Sequence, residues 1–470
     1  MAWRLLIVFG LVLGWATIAQ AACTGASPTW TSTADYASVN TCVTNATAGD
    51  TVNVQAGSAT WSSTLSISKA LILSGSGVGQ TILTANVATM ISLSASSDIS
   101  LRITGFEFQL GVMNNGRQAI FVSGPGGGAF AWTQLRLDHL SITGGSQAIE
   151  VDGRVWGLID HVTFTNTYSG VFVSGDNNLA WALTIAAGTA NALFIEDSSF
   201  ILNASSVSVV DAEVYVQEGA SVVSRYNIFD STAFTAPGFL TLMYNHHGNQ
   251  DYVTTCPLTT HFRGQPIFES YNNTARAYRL GGGQFEGYRG GSVIVHDETF
   301  ETTITGEETI YLSEEEQWQG AFFSPLRTVW PSQDQVTNSF FWNNTYNGTP
   351  MTTAALGGVG AVLAIRSNSS TMVQEDRDFF MHAPAATGGK STYTGTRNGG
   401  SDATPTTGDC GSMTFSGSGA NAYYPYTTYT YPHPLQGLSG GRPPATSRPA
   451  VIDRPGVLDR PAAPSRPAVP

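Results

Sequence analysis

Residues able to do acid–base chemistry gather between Asp211 and Gly291. Asp211 and Glu213 supply carboxyls. Arg225-Tyr226-Asn227 follows, then His246-His247-Gly248, His261-Phe262-Arg263-Gly264, Glu269, Tyr271, Glu286 and Arg289-Gly290-Gly291. Of the 21 basic residues, Arg263, Arg276, Arg279 and Arg289 fall within 27 positions; of the eight histidines, four are His246, His247, His261 and His296. Two chemistries fit these residue types. Hydrolysis between sugars needs two carboxyls flanking the bond, one of them kept protonated; Glu269 with Asp211 or Glu213 suits those roles. A lyase reaction needs a base near C5 of a uronate and a cation on its carboxylate. Arg263, His247 or Tyr271 suits the base, and Arg289 the clamp. Arg–Glu pairing along stacked strands, with His and Tyr filling bends, would give the same cluster without any chemistry.

The elements that position these residues form a repeat. LRLDHLSI ends at Ile142, LIDHVTF at Phe164, FIEDSSF at Phe200 and SRYNIF at Phe229. Weaker copies end at Ala275, Phe300 and Tyr346, and ITGFEF ends upstream at Phe108. Each copy runs from apolar residues through a polar pair to an apolar or aromatic residue. The closing residues are separated by 34, 22, 36, 29, 46, 25 and 46 positions. Short strands ending at polar bends, with loops of variable length leaving at other corners, produce this pattern. Stacking is required because one turn cannot bury its inner face alone. Asp, Asn and His suit the bend, since they hydrogen-bond local backbone and tolerate unusual φ. Phe and Ile suit the interior, where burial stabilises by about 1.5–3 kcal/mol each. By this pattern Asp138-His139 and Asp160-His161 are bend residues rather than ligands.

With these features the chain resembles the right-handed parallel β-helix proteins of the pectate-lyase-like superfamily, over roughly Thr51 to Ser367. The start is similar as well. Tyr36 to Thr47 has helical apolar spacing at Val39, Cys42, Val43 and Ala46, and GDTVNVQAG and LSISKALILSG follow it. Such a helix would cover the open strand edges of the first turn. The order R-Y-N, H-G, R-G, E-x-Y-N-N, R-G-G is similar to secreted bacterial β-helix proteins of unassigned activity. LIDH resembles the WIDH segment of pectate lyases, with Trp156 nearby, and HHG resembles the G-H-G of polygalacturonases. The chain lacks the H-x-K and Arg-centred segment of the former, and the paired aspartates and R-I-K of the latter. The resemblance therefore implies a fold and a carbohydrate context, without a particular reaction.

Composition narrows the partners. Setting aside residues 1–21 and those from Gly437 onward leaves 15 basic and 32 acidic side chains, about −17. Such a body repels nucleic acid and suits neutral polysaccharide, or an anionic one bridged by Ca²⁺. Glu307-Glu308 and Glu314-Glu315-Glu316 offer oxygens for Ca²⁺, but without the spaced Asp/Asn/Gly pattern of a dedicated loop they read as a solvated face. The Gly-rich Gly124 to Gly128 lacks GK[ST] and a following helix, so it is a turn rather than a phosphate loop. Aromatic residues between Trp318 and Tyr346 can stack on sugar rings or fill the core.

Residues 1–21 read as an export signal: Arg4, an apolar run from Leu5 to Leu13, then Ala19-Gln20-Ala21. The run is too short to span a membrane, which takes about 20 residues. Four cysteines in an exported chain suggest disulfides. Cys23–Cys42 is the natural local pair, leaving Cys256–Cys410, although three pairings are possible. Tyr423 to Pro434 reads as an extended Tyr/Pro segment capping the end of the solenoid, with a sugar-stacking strip as the alternative. From Gly441, Arg-Pro recurs at every sixth position, Arg442 to Arg466; such a segment stays extended and can touch an anionic cell envelope.

The expectation is thus an all-β, single-stranded, right-handed parallel β-helix with a short capping helix. Its divisions are signal peptide 1–21, N-terminal cap 22–50, β-helix 51–370, C-terminal capping and loop region 371–436, and disordered tail 437–470. The protein is expected outside the cell or on its surface, acting on polysaccharide as a lyase or glycoside hydrolase-like protein. The alternative is a non-catalytic, adhesin-like β-helix binding glycan or a protein partner.

Overall fold

Strand-forming segments alternate apolar and small polar residues. In Leu71–Gly75 and Thr81–Ala85 every second side chain is buried, the period expected where one strand face meets a core. The structure is a computed structural model. It describes residues 22–126, 130–175, 187–203, 209–210, 212–234, 239–246, 267–277, 284–302, 308–313, 336, 339–352, 354–356, 363–365, 373, 375, 378–384, 393–398, 412–417 and 426–437. The expected signal, Asp211, His247, Cys256, Arg263, Cys410, Glu307, Glu314-Glu315-Glu316 and the Arg-Pro repeat lie outside these residues.

The chain is mostly β, and its strands pair in three long parallel ladders. The first joins Leu71–Gly75, Leu101–Thr104, the opening halves of Leu135–Gly145 and Leu158–Thr165, Leu193–Glu196, Ser221–Arg225, Ile267–Tyr271, Val293–His296 and Ser339–Trp342. The second joins Thr81–Ala85, Glu107–Met113, the closing halves of the same two long strands, Ser199–Ile201, Ile228–Ser231, Thr274–Ala277, Thr299–Thr302 and Thr345–Tyr346. The third joins Leu65–Ile67, Thr89–Ser94, Gln118–Ser123, Gln147–Asp152, Ser169–Ser174, Val214–Gln217, Phe239–His246, Gln284–Arg289, Glu308–Ser313 and Leu363–Ile365. Among the described residues the first two ladders share one 22-stranded sheet, and the third lies in a 12-stranded sheet.

The sequence repeat and the register coincide. Phe108, Ile142, Phe164, Phe200, Phe229, Ala275, Phe300 and Tyr346 are successive partners in the second ladder. All but the partly buried Tyr346 belong to the buried core. Phe164, Phe200 and Phe229 stack face to face at 4.7 and 4.6 Å, the spacing of adjacent strands. Offset and parallel ring contacts of this kind add about 0.5–1.5 kcal/mol beyond area burial.

The polar pairs make the bends between the first and second ladders. His139, His161, Asp197, Tyr226, Asn272, Asp297 and Asn343 all have φ between 51° and 58°, a left-handed conformation that Asn, Asp and His enter most readily. The residue after each turns inward. Ser198, Asn227, Asn273 and Asn344 each accept from a backbone N–H of the preceding rung, at 2.8–3.1 Å. Asn227, Asn273 and Asn344 also donate to its carbonyls at Ile195, Ser224 and Val295. Glu298 stands in this column where its neighbours are amides. Ser270 and Asn273 donate to it, and burial pushes its carboxyl up to about 8.

The helix Tyr36–Asn45 begins at Asp35, whose side chain accepts from the Ser38 N–H, as an N-cap should. It buries Val39, Cys42 and Val43. Cys42 is disulfide-bonded to Cys23 in the strand Cys23–Ala26, as the sequence spacing favours. No described helix is long and apolar enough to cross a membrane.

Candidate functional site

A strand residue two positions before another on the same face makes two outward columns on the first ladder. One holds Arg102, Arg136, Leu158, Phe194, Val223, Glu269, Ile294 and Phe340; the other holds Thr104, Asp138, Asp160, Glu196, Arg225, Tyr271, His296 and Trp342. Parallel sheets need cover on both faces. Here Tyr426 to Gly437 supplies it, running over the face from the later rungs to the earlier ones. Tyr426 meets His296 and Trp342, Tyr429 and His433 meet Phe194, and Leu435 packs with Leu158, Phe194 and Val223. The segment is extended as expected, but its described contacts lie along the side of the ladder rather than across an end.

Beneath this segment the charges are linked. Arg225 is fully buried. Its guanidinium donates to Glu196 at 2.6 Å, to the Tyr271 hydroxyl at 2.9 Å, and to the carbonyls of Tyr429 and Thr430 at 2.7 and 2.9 Å. Arg136 donates to Asp160 and to the carbonyls of Leu435 and Gln436. Arg102 donates to Asp138. Burial opposes ionisation of Asp138, but Arg102, His139 and Arg136 hold it well below the usual carboxylate range.

Glu269 is 1% exposed and accepts from the Gly188 N–H and the Tyr426 hydroxyl, both at 2.9 Å. Burial pushes its carboxyl up to about 7 against those donors and Arg225. The Tyr426 hydroxyl also lies 3.3 Å from Nε2 of His296, whose ring is stacked between Tyr271 and Trp342. Burial holds His296 below its ordinary pKa despite Asp297. A carboxyl near neutrality, a phenol and an imidazole in contact can pass a proton. A polymer can reach them only if residues 426–437 move aside.

Of the residues singled out from sequence, Arg225, Glu269, Tyr271 and His296 share this cluster. Burial raises the Tyr271 hydroxyl above its ordinary pKa, opposed by Arg225. Glu213 lies elsewhere, fully buried, accepting from Thr167 at 2.8 Å and pushed up to about 8 by burial. Arg289 is on the third ladder, where it donates to the Tyr311 hydroxyl, and its backbone N–H donates to Nδ1 of His246. Sequence reasoning missed Glu196 and Arg136, and read Tyr426 only as part of the Tyr/Pro segment. The signal for Glu196 was available: like Arg225, Tyr271 and His296, it immediately precedes a left-handed bend residue. Among the described residues no group of three or more His, Cys, Asp or Glu is placed to hold a metal ion.

The third ladder turns a different face outward. Phe121, Glu150, Phe172 and Tyr215 form one column and Ser123, Asp152, Ser174 and Gln217 the next. Phe121, Phe172, Glu150 and Asp152 are partly exposed, and Phe172 stacks on Tyr215 at 4.9 Å. Gln118 donates to Glu150.

Compared with known proteins, the chain matches no family model and no curated protein. Among solved structures it is similar to an alginate lyase from Paenibacillus sp. str. FPU-7, at 13% identity and a TM-score of 0.33, with 61% of this chain and 97% of that one covered.

Proposed function

We propose that the three ladders are the faces of a right-handed parallel β-helix, exported from the cell, that binds extracellular polysaccharide along the outer face of its third ladder. The observation that carries this reading is the outward file of Phe121, Glu150, Phe172 and Tyr215 beside Ser123, Asp152, Ser174 and Gln217, in which all but the buried Tyr215 and Ser174 are partly or fully exposed. Phe121 and Phe172 offer partly exposed ring surface, and carboxyls, amides and hydroxyls beside them meet sugar hydroxyls. Right-handedness follows the general rule for parallel crossovers. The disulfide Cys23–Cys42 suits an oxidising compartment. The division of the chain at residues 21, 50, 370 and 436, and contact of the Arg-Pro tail with the cell envelope, belong to the same proposal.

A second reading, a polysaccharide lyase or glycoside hydrolase, is favoured by the Glu269–Tyr426–His296 contact, with Asp211, Glu213, His247, Arg263, Tyr271 and Arg289 as further candidates. One screen separates the two. The protein without residues 1–21 is incubated with neutral and uronate-containing polysaccharides, with and without Ca²⁺, following reducing ends and the absorbance of unsaturated uronates. Binding without turnover supports the first reading. New absorbance supports a lyase, and reducing ends alone a hydrolase.

A further inference from the structure

Among the described residues most arginines are held by partners. Arg102, Arg136, Arg225 and Arg276 each pair with a carboxylate, Arg117 donates to the Leu110 carbonyl, and Arg289 to Tyr311. Arg154 differs. Its Nε is buried and has no hydrogen-bond partner, and its guanidinium lies 6.0 Å from the centre of the Trp156 ring. Asp152, two residues earlier, does not pair with it, and among the described residues no hydrogen bond or ion pair engages the Asp152 carboxylate. Burial, Glu150 and Glu218 push that carboxyl up to about 6.

These groups sit at one corner, where the third ladder hands over to the first. Gly153 to Trp156 leave the strand Gln147–Asp152, Gly175 follows Ser169–Ser174, and Gly219 to Ser221 follow Val214–Gln217. Together they line a shallow depression open to solvent. The glycines keep its floor free of side chains. At Gly175 an added Cβ would come within 2.4 Å of the Ala220 nitrogen, so the floor is fixed at this depth. Arg154, Trp156 and Ser221 are among the lining residues, and Asp152 immediately precedes the lining Gly153.

The geometry points to this corner as a subsite for one uncharged hexopyranose unit of the polysaccharide, with Trp156 stacking on the ring while Arg154 donates to, and Asp152 accepts from, its hydroxyls. The inference rests on the polysaccharide-binding reading and gives it a substrate class. An uncharged sugar is favoured over a uronate because Glu150 and Glu218 lie near enough to Asp152 to act on it, with Arg154 the one cation of the depression, and the remainder of the body is acidic as well. A planar guanidinium and an aromatic ring are pre-organised for such contacts. Asp152 also continues the outward column of the third ladder, so a chain lying along that face reaches the corner.

The test is calorimetric binding of the full chain to hexasaccharides of neutral hexose and of uronate, at pH 7.5, for the wild type, Trp156→Ala, Arg154→Gln and Asp152→Asn. Circular dichroism and a thermal melt check each fold, and Arg154→Gln, at a half-exposed position, serves if Trp156→Ala does not fold. The expected result is at least a tenfold weaker affinity for neutral hexasaccharide in Trp156→Ala and Arg154→Gln, and weaker wild-type binding below about pH 6 that Asp152→Asn no longer shows. Wild-type affinity retained within twofold in folded variants would overturn the subsite and leave polysaccharide binding standing. Stronger binding of uronate would overturn the substrate class. No binding by the wild type to either would overturn both the subsite and the reading it rests on.

Discussion

Asn227 ties two rungs together through one carboxamide. Its oxygen accepts from the Ser198 N–H and its nitrogen donates to the Ile195 carbonyl, both at 2.9 Å and both buried. Asn227→Ala leaves both groups unpaired, at about 1–3 kcal/mol each. Urea unfolding is expected to show a loss of roughly 2–4 kcal/mol; a loss below about 0.5 kcal/mol would contradict the bridge. Glu213 makes a pH-dependent counterpart. Its folded pKa of about 8 lies above the unfolded value of about 4.3. The stability it contributes is therefore complete below pH 4 and is lost as pH rises through about 8. Melting temperature is expected to fall between pH 6 and 9, and to fall less in Glu213→Gln; equal slopes in the two proteins would contradict the assignment. The bends at this scale were legible because few residue types enter the left-handed region. The partners of Glu213 were not, since Thr167 lies 46 positions away and the spacing between rungs is irregular.

At the scale of elements, the segment 426–437 sets what the first ladder can do. Ordering its backbone costs about 1–2 kcal/mol per residue. Its hydrogen bonds from Arg136 and Arg225 return about 1.5–3 kcal/mol each, and those to Glu196, Asp197 and Glu269 and the burial of Tyr426, Tyr429 and Leu435 supply the remainder. The segment is thus a cover held by rings, with Tyr431 stacked on Tyr226 at 3.8 Å. Tyr431→Ala is expected to speed hydrogen exchange of the backbone in 426–437 at least severalfold while leaving the second-ladder strands Ser199–Ile201 and Ile228–Ser231 protected. Unchanged exchange throughout would contradict the cover. The sequence marked this segment as extended through its Tyr and Pro content. Its position was not legible, because a strip of carbonyls and rings carries no register signal for a face built from rungs more than 80 residues upstream.

At the scale of the molecule, the second ladder could be read rung by rung: the closing residues from Phe108 to Tyr346 are ladder partners in the order the repeat places them. A stacked core demands an apolar residue at one fixed distance past each bend, whatever loop length intervenes, so the signal survives irregular spacing. The site was less legible. Clustering in sequence drew Glu213, Glu269, Tyr271 and Arg289 together, whereas the chain distributes them over the core, the first ladder and the third. Adjacent positions fall on different faces as the chain passes each corner. The third-ladder file arises from residues scattered between Phe121 and Gln217, each unremarkable alone. With polysaccharide proposed to lie on that file, the most direct measurement is equilibrium binding of uncharged polysaccharide to the full chain and to Phe121→Ala/Phe172→Ala. Binding by the wild type and a loss of at least tenfold in the double variant are expected, with the fold retained by circular dichroism. Equal binding by the two proteins, or none by the wild type, would contradict that placement.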